Sequence, residues 1–584
     1  MSISNPAVSA SEYWRSAEEQ RFAHLPKSPN RSWAKHSADV KKTLDLEMDA
    51  VSMVMCSLRT RFNAIAHVNR LPPEVLVHVF SLLQEEDPPR IIAEYGKPTR
   101  VFFGWIEVTY ICRQWRSTAL GHASLWSNIP FSIGPQWTEE SLRRSQAAPI
   151  FLAYSSNREK EMDIGAMLEH HLSHVRNLWI DWKREGPYGI FPSLCDAAPV
   201  LETAELTNLQ TLSDHTPVPS LPEDLFAHTA PRLRYLRTYR FGIQWSSLTF
   251  RSITELHIIC WSNDSDRPIL SAGQQNIRDV VAALARMPAL EVLWLDRALP
   301  PLATAPSPSP SQATHLNLPV VPAGLPKLRT LRLVDGVAEC AAMLKHIATP
   351  PTTEPSITCV LDVANGHSAE LILPWLAACA ATASTRALSV LDLSIGFEMT
   401  MWDSASPDDP LMTWMTRRYA FKMTLMGLPG DATRIAQLAV FAGVLPLADL
   451  ELIVVEYESA FSALEWLEGF GRCAKVCEVV VKKAAAASLC EALMLGNPAG
   501  GPLFPALKHL TLQDIDIENS GLGETLLKWL RIRQNITIPV QRINIKDCHV
   551  RRATIERIKE EVPEVCWDDE GDGEEEEDED LGVP

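Results

Sequence analysis

A chain of 584 residues has room for several domains or for one long repeat array. Apolar residues make up 46% and charged residues 22%, a globular balance that excludes a wholly disordered chain, and 42 prolines imply many loops. The net charge of −18 argues against a general nucleic-acid partner; residues 568–580 hold eleven acidic residues and no basic one, which leaves −18 + 11 = −7 for the rest.

The N-terminal residues are polar and lack a positive-then-apolar leader pattern, and no apolar run approaches the ~18 residues of a membrane span; the best, 436–448, is too short. The twelve cysteines form no Cys-x-x-Cys pair, and Cys260, Cys340, Cys379 and Cys490 sit in apolar runs. They read as small core residues in a reducing compartment, not as a disulfide framework or a zinc site. The expectation is an intracellular protein, cytoplasmic with a nuclear pool left open, in which the sequons at Asn30, Asn263 and Asn535 arise by chance.

Residues 1–38 are polar, with Trp14 and Trp33 isolated, and are expected to be loosely ordered. Over 39–69 the apolar residues Leu44, Met48, Val51, Met55, Leu58, Phe62 and Ile65 recur at spacings of 3 and 4, which predicts one long amphipathic helix. The same spacing suits a short coiled coil. With no evident order in the flanking charges, packing on the next module is the expectation.

Residues 70–130 begin Leu71-Pro72-Pro73-Glu74-Val75-Leu76-Val77-His78-Val79-Phe80-Ser81-Leu82-Leu83. Prolines suit a first helical turn, where no N–H is lost. Leu76, Val79, Phe80 and Leu83 share one face, while Val75 and Leu82 cover another, so the helix is apolar nearly all round and must be buried on every side. A second piece, Val108-Thr109-Tyr110-Ile111-Cys112-Arg113-Gln114-Trp115-Arg116, carries the stripe Val108, Ile111, Cys112, Trp115 and Ala119, ends at Gly121 and is followed by Leu125-Trp126. So little helix cannot bury such a surface alone, and a partner protein is the simplest remedy.

Together these residues resemble the F-box, in the form seen in expanded families of mushroom-forming fungi. One departure is the Pro-rich insertion at 84–104 between the two half-motifs. The resemblance implies docking on a Skp-family adaptor and through it on a cullin-based ubiquitin ligase. It implies adaptor contact or helix positioning by Leu71, Pro72, Val75, Leu76, Val79, Phe80, Leu83, Ile111 and Trp115.

From 131 to 567 a phrase recurs: aliphatic, two variable, aliphatic, one variable, aliphatic. It appears at Val175/Leu178/Ile180, Leu201/Ala204/Leu206, Leu233/Leu236/Thr238, Ile253/Leu256/Ile258, Leu290/Leu293/Leu295 and Leu328/Leu331/Leu333. It continues at Leu388/Leu391/Leu393, Leu447/Leu450/Leu452, Val476/Val479/Val481, Leu507/Leu510/Leu512 and Val540/Ile543/Ile545, with weaker copies at Leu361/Val363 and Met423/Leu425. Helical stretches lie between, among them 276–286, 434–445, 463–472 and 523–532. This resembles a degenerate leucine-rich repeat. The expected fold is α/β: an N-terminal helical F-box, then a curved leucine-rich-repeat solenoid of strand-helix units. A compact α/β domain with a parallel sheet is the alternative. Residues 300–312, rich in Pro and Ser, form a flexible insertion, and the acidic tail 568–584 is expected to be disordered.

No phosphate-cradling Gly-x-x-x-x-Gly-Lys, His-Glu-x-x-His or Gly-x-Ser-x-Gly motif is present. His170, His171 and His174 cluster without acidic or Cys ligands nearby and read as a solvated helix end; Asp408-Asp409 reads as a turn. No catalytic residue, metal or cofactor is therefore expected. In a solenoid, function falls on strand residues alternating with core ones. Arg234, Tyr235, Arg237, Tyr239, His257, Trp261 and Trp294 are those residues or their neighbours, and a set rich in Arg, Tyr and Trp has the composition of a protein-binding surface. The functional expectation is a non-catalytic substrate receptor whose target protein is unknown. The alternatives are an adaptor-independent scaffold, which would capture no adaptor, and an α/β enzyme, which would show a deep pocket with convergent titratable groups.

Overall fold

In the computed structural model of the chain, Ser9 caps helix α1 (Ala10–Arg21) through a reciprocal box with Glu12, so part of the segment expected to be loose is helical. The structure describes residues 9–23, 37–92, 99–155, 163–182, 189–209, 219–260, 276–302, 322–361, 368–382, 384–403, 419–428, 430–457, 462–495 and 501–568. Most of the Pro/Ser insertion, Trp33, Trp261, Asp408-Asp409 and the tail beyond Asp568 lie outside them. Two units result, Met1–Leu125 and Trp126–Pro584. Among the described residues, no helix is long and apolar enough to cross a membrane.

In the first unit, α2 (Ser37–Ile65) is the long helix expected from the 3-and-4 spacing. Its seam is not packed away: Met48, Val51, Met55, Leu58, Phe62 and Ile65 are all exposed. A 3₁₀ turn, His67–Arg70, leads into α3 (Pro73–Glu86), whose Pro73 occupies the first helical position. The insertion then forms a hairpin of β1 (Arg90–Ile92) and β2 (Arg100–Phe102). Its ends meet, because the Trp105 N–H donates to the Asp87 carbonyl at 2.8 Å. Gly104 makes that closure possible: its φ is +56°, and a Cβ there would collide with the same Asp87 oxygen. The second half-motif is two helices, not one stripe. α4 (Val108–Ile111) and α5 (Arg113–Gly121) are separated at Cys112, which adopts φ −154° and, as N-cap, accepts the Trp115 N–H on its sulfur.

The second unit is built on a sixteen-stranded sheet among the described residues. β3 (Ile150–Ser155), β4 (Val175–Trp182), β5 (Thr203–Asn208), β6 (Tyr235–Tyr239), β7 (Glu255–Ile259) and β8 (Val292–Asp296) pair in chain order, each parallel to the last. Two two-residue strands, β9 (Ala323–Gly324) and β11 (Ile347–Ala348), pair separately. The main ladder continues through β10 (Thr330–Gly336) and β12 (Glu354–Val360). Parallel strands need a crossover between them, and helices such as Ile277–Ala285, Asp431–Val444, Ala463–Phe470 and Leu522–Asn535 supply it. Neighbouring strands follow neighbouring repeats, so the unit is a strand-helix solenoid. Leu178, Leu206, Leu236, Leu256, Leu293 and Leu331 point into one continuous core, as the leucine-rich phrase requires.

Chain order breaks once. β13 (Ala387–Asp392), β14 (Gly396–Trp402) and β15 (Phe421–Met426) form an antiparallel meander inserted back to front, so that β15 abuts β12 and β13 abuts β16 (Leu452–Glu456). Here the phrase slips by three residues. The core receives Leu388 and Val390, then Ile453 and Val455, whereas Leu391 is half-buried and Leu452 packs on the opposite face against Ala387 and Trp402. The register is therefore Thr385/Leu388/Val390 and Leu450/Ile453/Val455. The weak copy expected at Leu361/Val363 is replaced by Ile357 and Cys359 on β12. β17 (Glu478–Lys482), β18 (His509–Gln513) and β19 (Arg542–Lys546) keep the expected register, and β20 (Glu564–Trp567) closes the sheet. Arg240, Arg297, Lys483, Asp514 and Asp547 each follow a strand with φ between +50° and +58°. The recurring left-handed residue turns the chain out of the sheet; in the first four its N–H still reaches the next strand, as from Arg297 to the Val334 carbonyl at 2.6 Å, and in Asp547 it meets the Asp568 carboxylate.

Candidate functional site

Helix α3 divides its apolar surface between two tasks. Leu76 (1% exposed), Phe80 (0%) and Gln84 lie four apart and face inward. The Phe80 ring packs 5.3 Å from that of Trp115, and Gln84 Nε2 donates to the Leu125 carbonyl at 3.0 Å. Trp115 Nε1 donates in turn to Asn69 Oδ1 at 2.7 Å, and Asn69 Nδ2 donates to the Asn63 carbonyl at 2.8 Å. One polar side chain thus fixes α5 against the turn that launches α3. Neither Asn69 nor Gln84 stands out by composition. The signal for Gln84 is its place in the Leu76, Phe80 spacing of four.

The rest of the apolar residues remain outside. Val75, Val79, Leu82 (51%) and Leu83 fall at i, i+4, i+7 and i+8 and are exposed, as are Tyr110 and Ile111 on α4. Among the residues expected to meet an adaptor, Pro72, Val75, Val79, Leu83 and Ile111 are available at the surface, Leu71 and Trp115 are half-buried, and Leu76 and Phe80 are internal. The last two position the helix and present no surface of their own. Four large apolar side chains of one short helix are thus left at the surface.

The second unit carries a different surface. The single variable position between the second and third aliphatics of the phrase points away from the core, and strand pairing aligns it from repeat to repeat. Glu205, Arg237, His257, Trp294 and Arg332 therefore stand side by side on β5 to β10. Neighbouring strands are about 4.8 Å apart, which brings the side chains into contact. Arg237 Nη1 meets Glu205 Oε1 at 3.0 Å, the His257 ring lies 5.3 Å from Tyr235 and 5.6 Å from Trp294, and the Arg332 guanidinium sits 5.2 Å above Trp294. Tyr235, Arg237, His257 and Trp294 are half-buried by this stacking, and Arg234, just before β6, is exposed.

Burial, then the two flanking guanidinium groups, pushes the His257 pKa down to about 4, so the imidazole is neutral near pH 7. Burial likewise raises Asp296, at the end of β8, to about 6. Two arginines, one glutamate and neutral aromatics make up the row, with Glu255 Oε2 3.9 Å from the His257 ring beside it. Glu205 and Arg332 escape a residue-by-residue reading, but aligning the phrases exposes them. His170, His171 and His174 end a short helix, with His171 Nδ1 and His174 Nε2 3.3 Å apart. Among the described residues, no group of three or more His, Cys, Asp or Glu side chains is arranged to hold a metal ion.

Residues 68–132 match the family model described as F-box-like, so the region around α3, α4 and α5 is an F-box-like domain. No curated protein matches the chain. Among solved structures, the LRR protein of Leptospira interrogans aligns over 74% of this chain and 98% of its own at 11% identity, with a TM-score of 0.24, too low to bear on the fold or the function.

Proposed function

We propose that the chain is the non-catalytic substrate-recognition subunit of a cullin-based (SCF-type) ubiquitin ligase. Its F-box-like domain docks on a Skp-family adaptor, and its solenoid holds the target protein. The observation that carries this reading is the division of α3: within the F-box-like match, Val75, Val79, Leu82 and Leu83 are apolar and exposed, while Leu76 and Phe80 hold the helix in place. On the solenoid, the strip of Arg237, His257, Trp294 and Arg332 has the aromatic and Arg composition of an interface centre.

The test uses the full chain with a purified Skp-family adaptor. Val79→Asp and Leu83→Asp place charge on the ridge without touching the core, and each should abolish co-purification while the melting curve stays unchanged. If the wild type captures no adaptor, the protein is an adaptor-independent scaffold.

A further inference from the structure

Helix α2 is 29 residues long, about 44 Å, and a stripe of large apolar side chains runs exposed along it, with Phe62 76% accessible. The stripe is not the broad face of a helix lying on a globular core. Leu44, Met48, Val51, Met55, Leu58, Phe62 and Ile65 alternate spacings of 4 and 3 without a break. That is a strict seven-residue repeat with Met48, Met55 and Phe62 at one seam position and Leu44, Val51, Leu58 and Ile65 at the other. On a straight helix such a stripe drifts by about 20° per heptad, so it stays on one face only when wound around a partner helix.

We infer that α2 pairs with α2 of a second copy of this chain in an antiparallel coiled coil. The direction follows from the flanking charges, which show no order along one helix and become complementary only when each row is reversed against itself. In an antiparallel pair each flanking row meets the same row of the other helix, run backwards. Sliding the helices so that each Met/Phe position faces a Leu/Val position sets Leu44 against Phe62, Met48 against Leu58 and Val51 against Met55, with their mirror images, and places Lys41 opposite Ile65 at each end of the seam. One flanking row then reads Asp45, Ser52, Arg59, and the other reads Glu47, Val54, Arg61. Reversed on themselves, these rows bring Asp45 to Arg59 and Glu47 to Arg61 of the second copy, and back again. Ser52 and Val54 meet their own copies at the two-fold axis.

Glu47 already receives Arg21 at 2.7 Å within the chain, so Arg61 would join that pair. A parallel pair instead sets Lys41 against Lys41 in the seam and opposes Glu47 to Ser52, Val54 to Arg59 and Arg61 to Ala66, with no ion pair. Charge order and seam register thus choose the same partner and the same direction.

Light scattering of the full chain during size exclusion should give twice the 65.0 kDa chain mass. Met55→Glu, at an exposed seam position, should return the mass to that of one chain with an unchanged far-ultraviolet spectrum. Arg59→Asp sets like charges opposite each other and should also dissociate the dimer, whereas Asp45→Arg combined with Arg59→Asp should restore it. A monomeric parent overturns the inference, whether α2 is bare or covered by an adaptor. So does a dimer that survives Met55→Glu, or a double charge reversal that stays monomeric.

Discussion

Trp115 of α5 donates its indole N–H to Asn69 of the turn preceding α3 at 2.7 Å, and the same asparagine holds the Asn63 carbonyl at the end of α2. Three helices are therefore fixed by one side chain whose donor and acceptor are both used. Removing it leaves the indole N–H half-buried without its acceptor, at a cost of about 1–3 kcal/mol. Asn69→Ala should speed amide exchange in α5 and α3, with little change in the strands of the solenoid. Trp115→Phe, which keeps a ring against Phe80, should cost less than Asn69→Ala.

The two faces of α3 make a sharper contrast. Phe80→Ala empties a closed site beneath Trp115 and should destabilise the helical unit by about 3–5 kcal/mol, read as early loss of helical signal in denaturant. Val79→Ala, one residue away and exposed, should fall within about 0.5 kcal/mol of the parent. Similar losses at both positions would mean that the helix is buried all round and offers no docking ridge.

That contrast also marks how far the sequence could be read. The phrase with one variable residue between two aliphatics fixed the inward and outward residues of β4 through β8, because a two-residue period leaves no freedom once one core position is known. It failed at β13 and β16 for a physical reason. Leu388/Leu391/Leu393 and Thr385/Leu388/Val390 both fit the spacing, and only pairing with the antiparallel β14, six residues of which face β13, decides between them. On α3 the difficulty was the reverse. Apolar residues on all sides show that everything must be covered but not by what, and only the packing of Phe80 on Trp115 separates core from ridge. On α2 the seam was legible, whereas its exposure was not, since spacing alone cannot tell an internal contact from an external one.

The solenoid should lose stability as pH rises from about 4.5 toward neutrality, in part through Glu478. This residue begins β17, beside His509 of β18, with Arg542 one strand further. Burial raises its pKa from 4.5 to about 7, against the weaker opposing pull of Arg542. The folded chain thus keeps the proton between pH 4.5 and 7 where the unfolded chain has released it, so stability falls across that window and stays lower above it. The shift corresponds to at most about 3 kcal/mol. Glu478→Gln removes the titration, so its melting temperature should equal or exceed the parent's, by a margin that grows from pH 4.5 to pH 8. A margin independent of pH would show that Glu478 ionises normally in the folded chain.

The meander that breaks chain order should depend on one buried ion pair. Arg434, on the helix Asp431–Val444, lies with its Nε 3.3 Å from Asp392 Oδ1, and the two side chains are 6% and 2% exposed. The same guanidinium donates from Nη1 to the Ser394 carbonyl at 2.7 Å, while Asp392 accepts the Ser394 N–H at 3.2 Å. Ser394 is held at φ +64° in the turn between β13 and β14, so the pair fixes the first of the meander's two reversals. Attraction between the two charges offsets the cost of burying them, but either alone is an uncompensated buried charge. Arg434→Met should therefore destabilise the solenoid by about 3–5 kcal/mol. Asp392→Asn removes the stranded charge and still accepts from Ser394. The double variant Arg434→Met/Asp392→Asn should accordingly recover most of that loss in a denaturant titration. If the double variant is as unstable as Arg434→Met alone, the guanidinium acts mainly through the Ser394 carbonyl and holds the turn, not the charge.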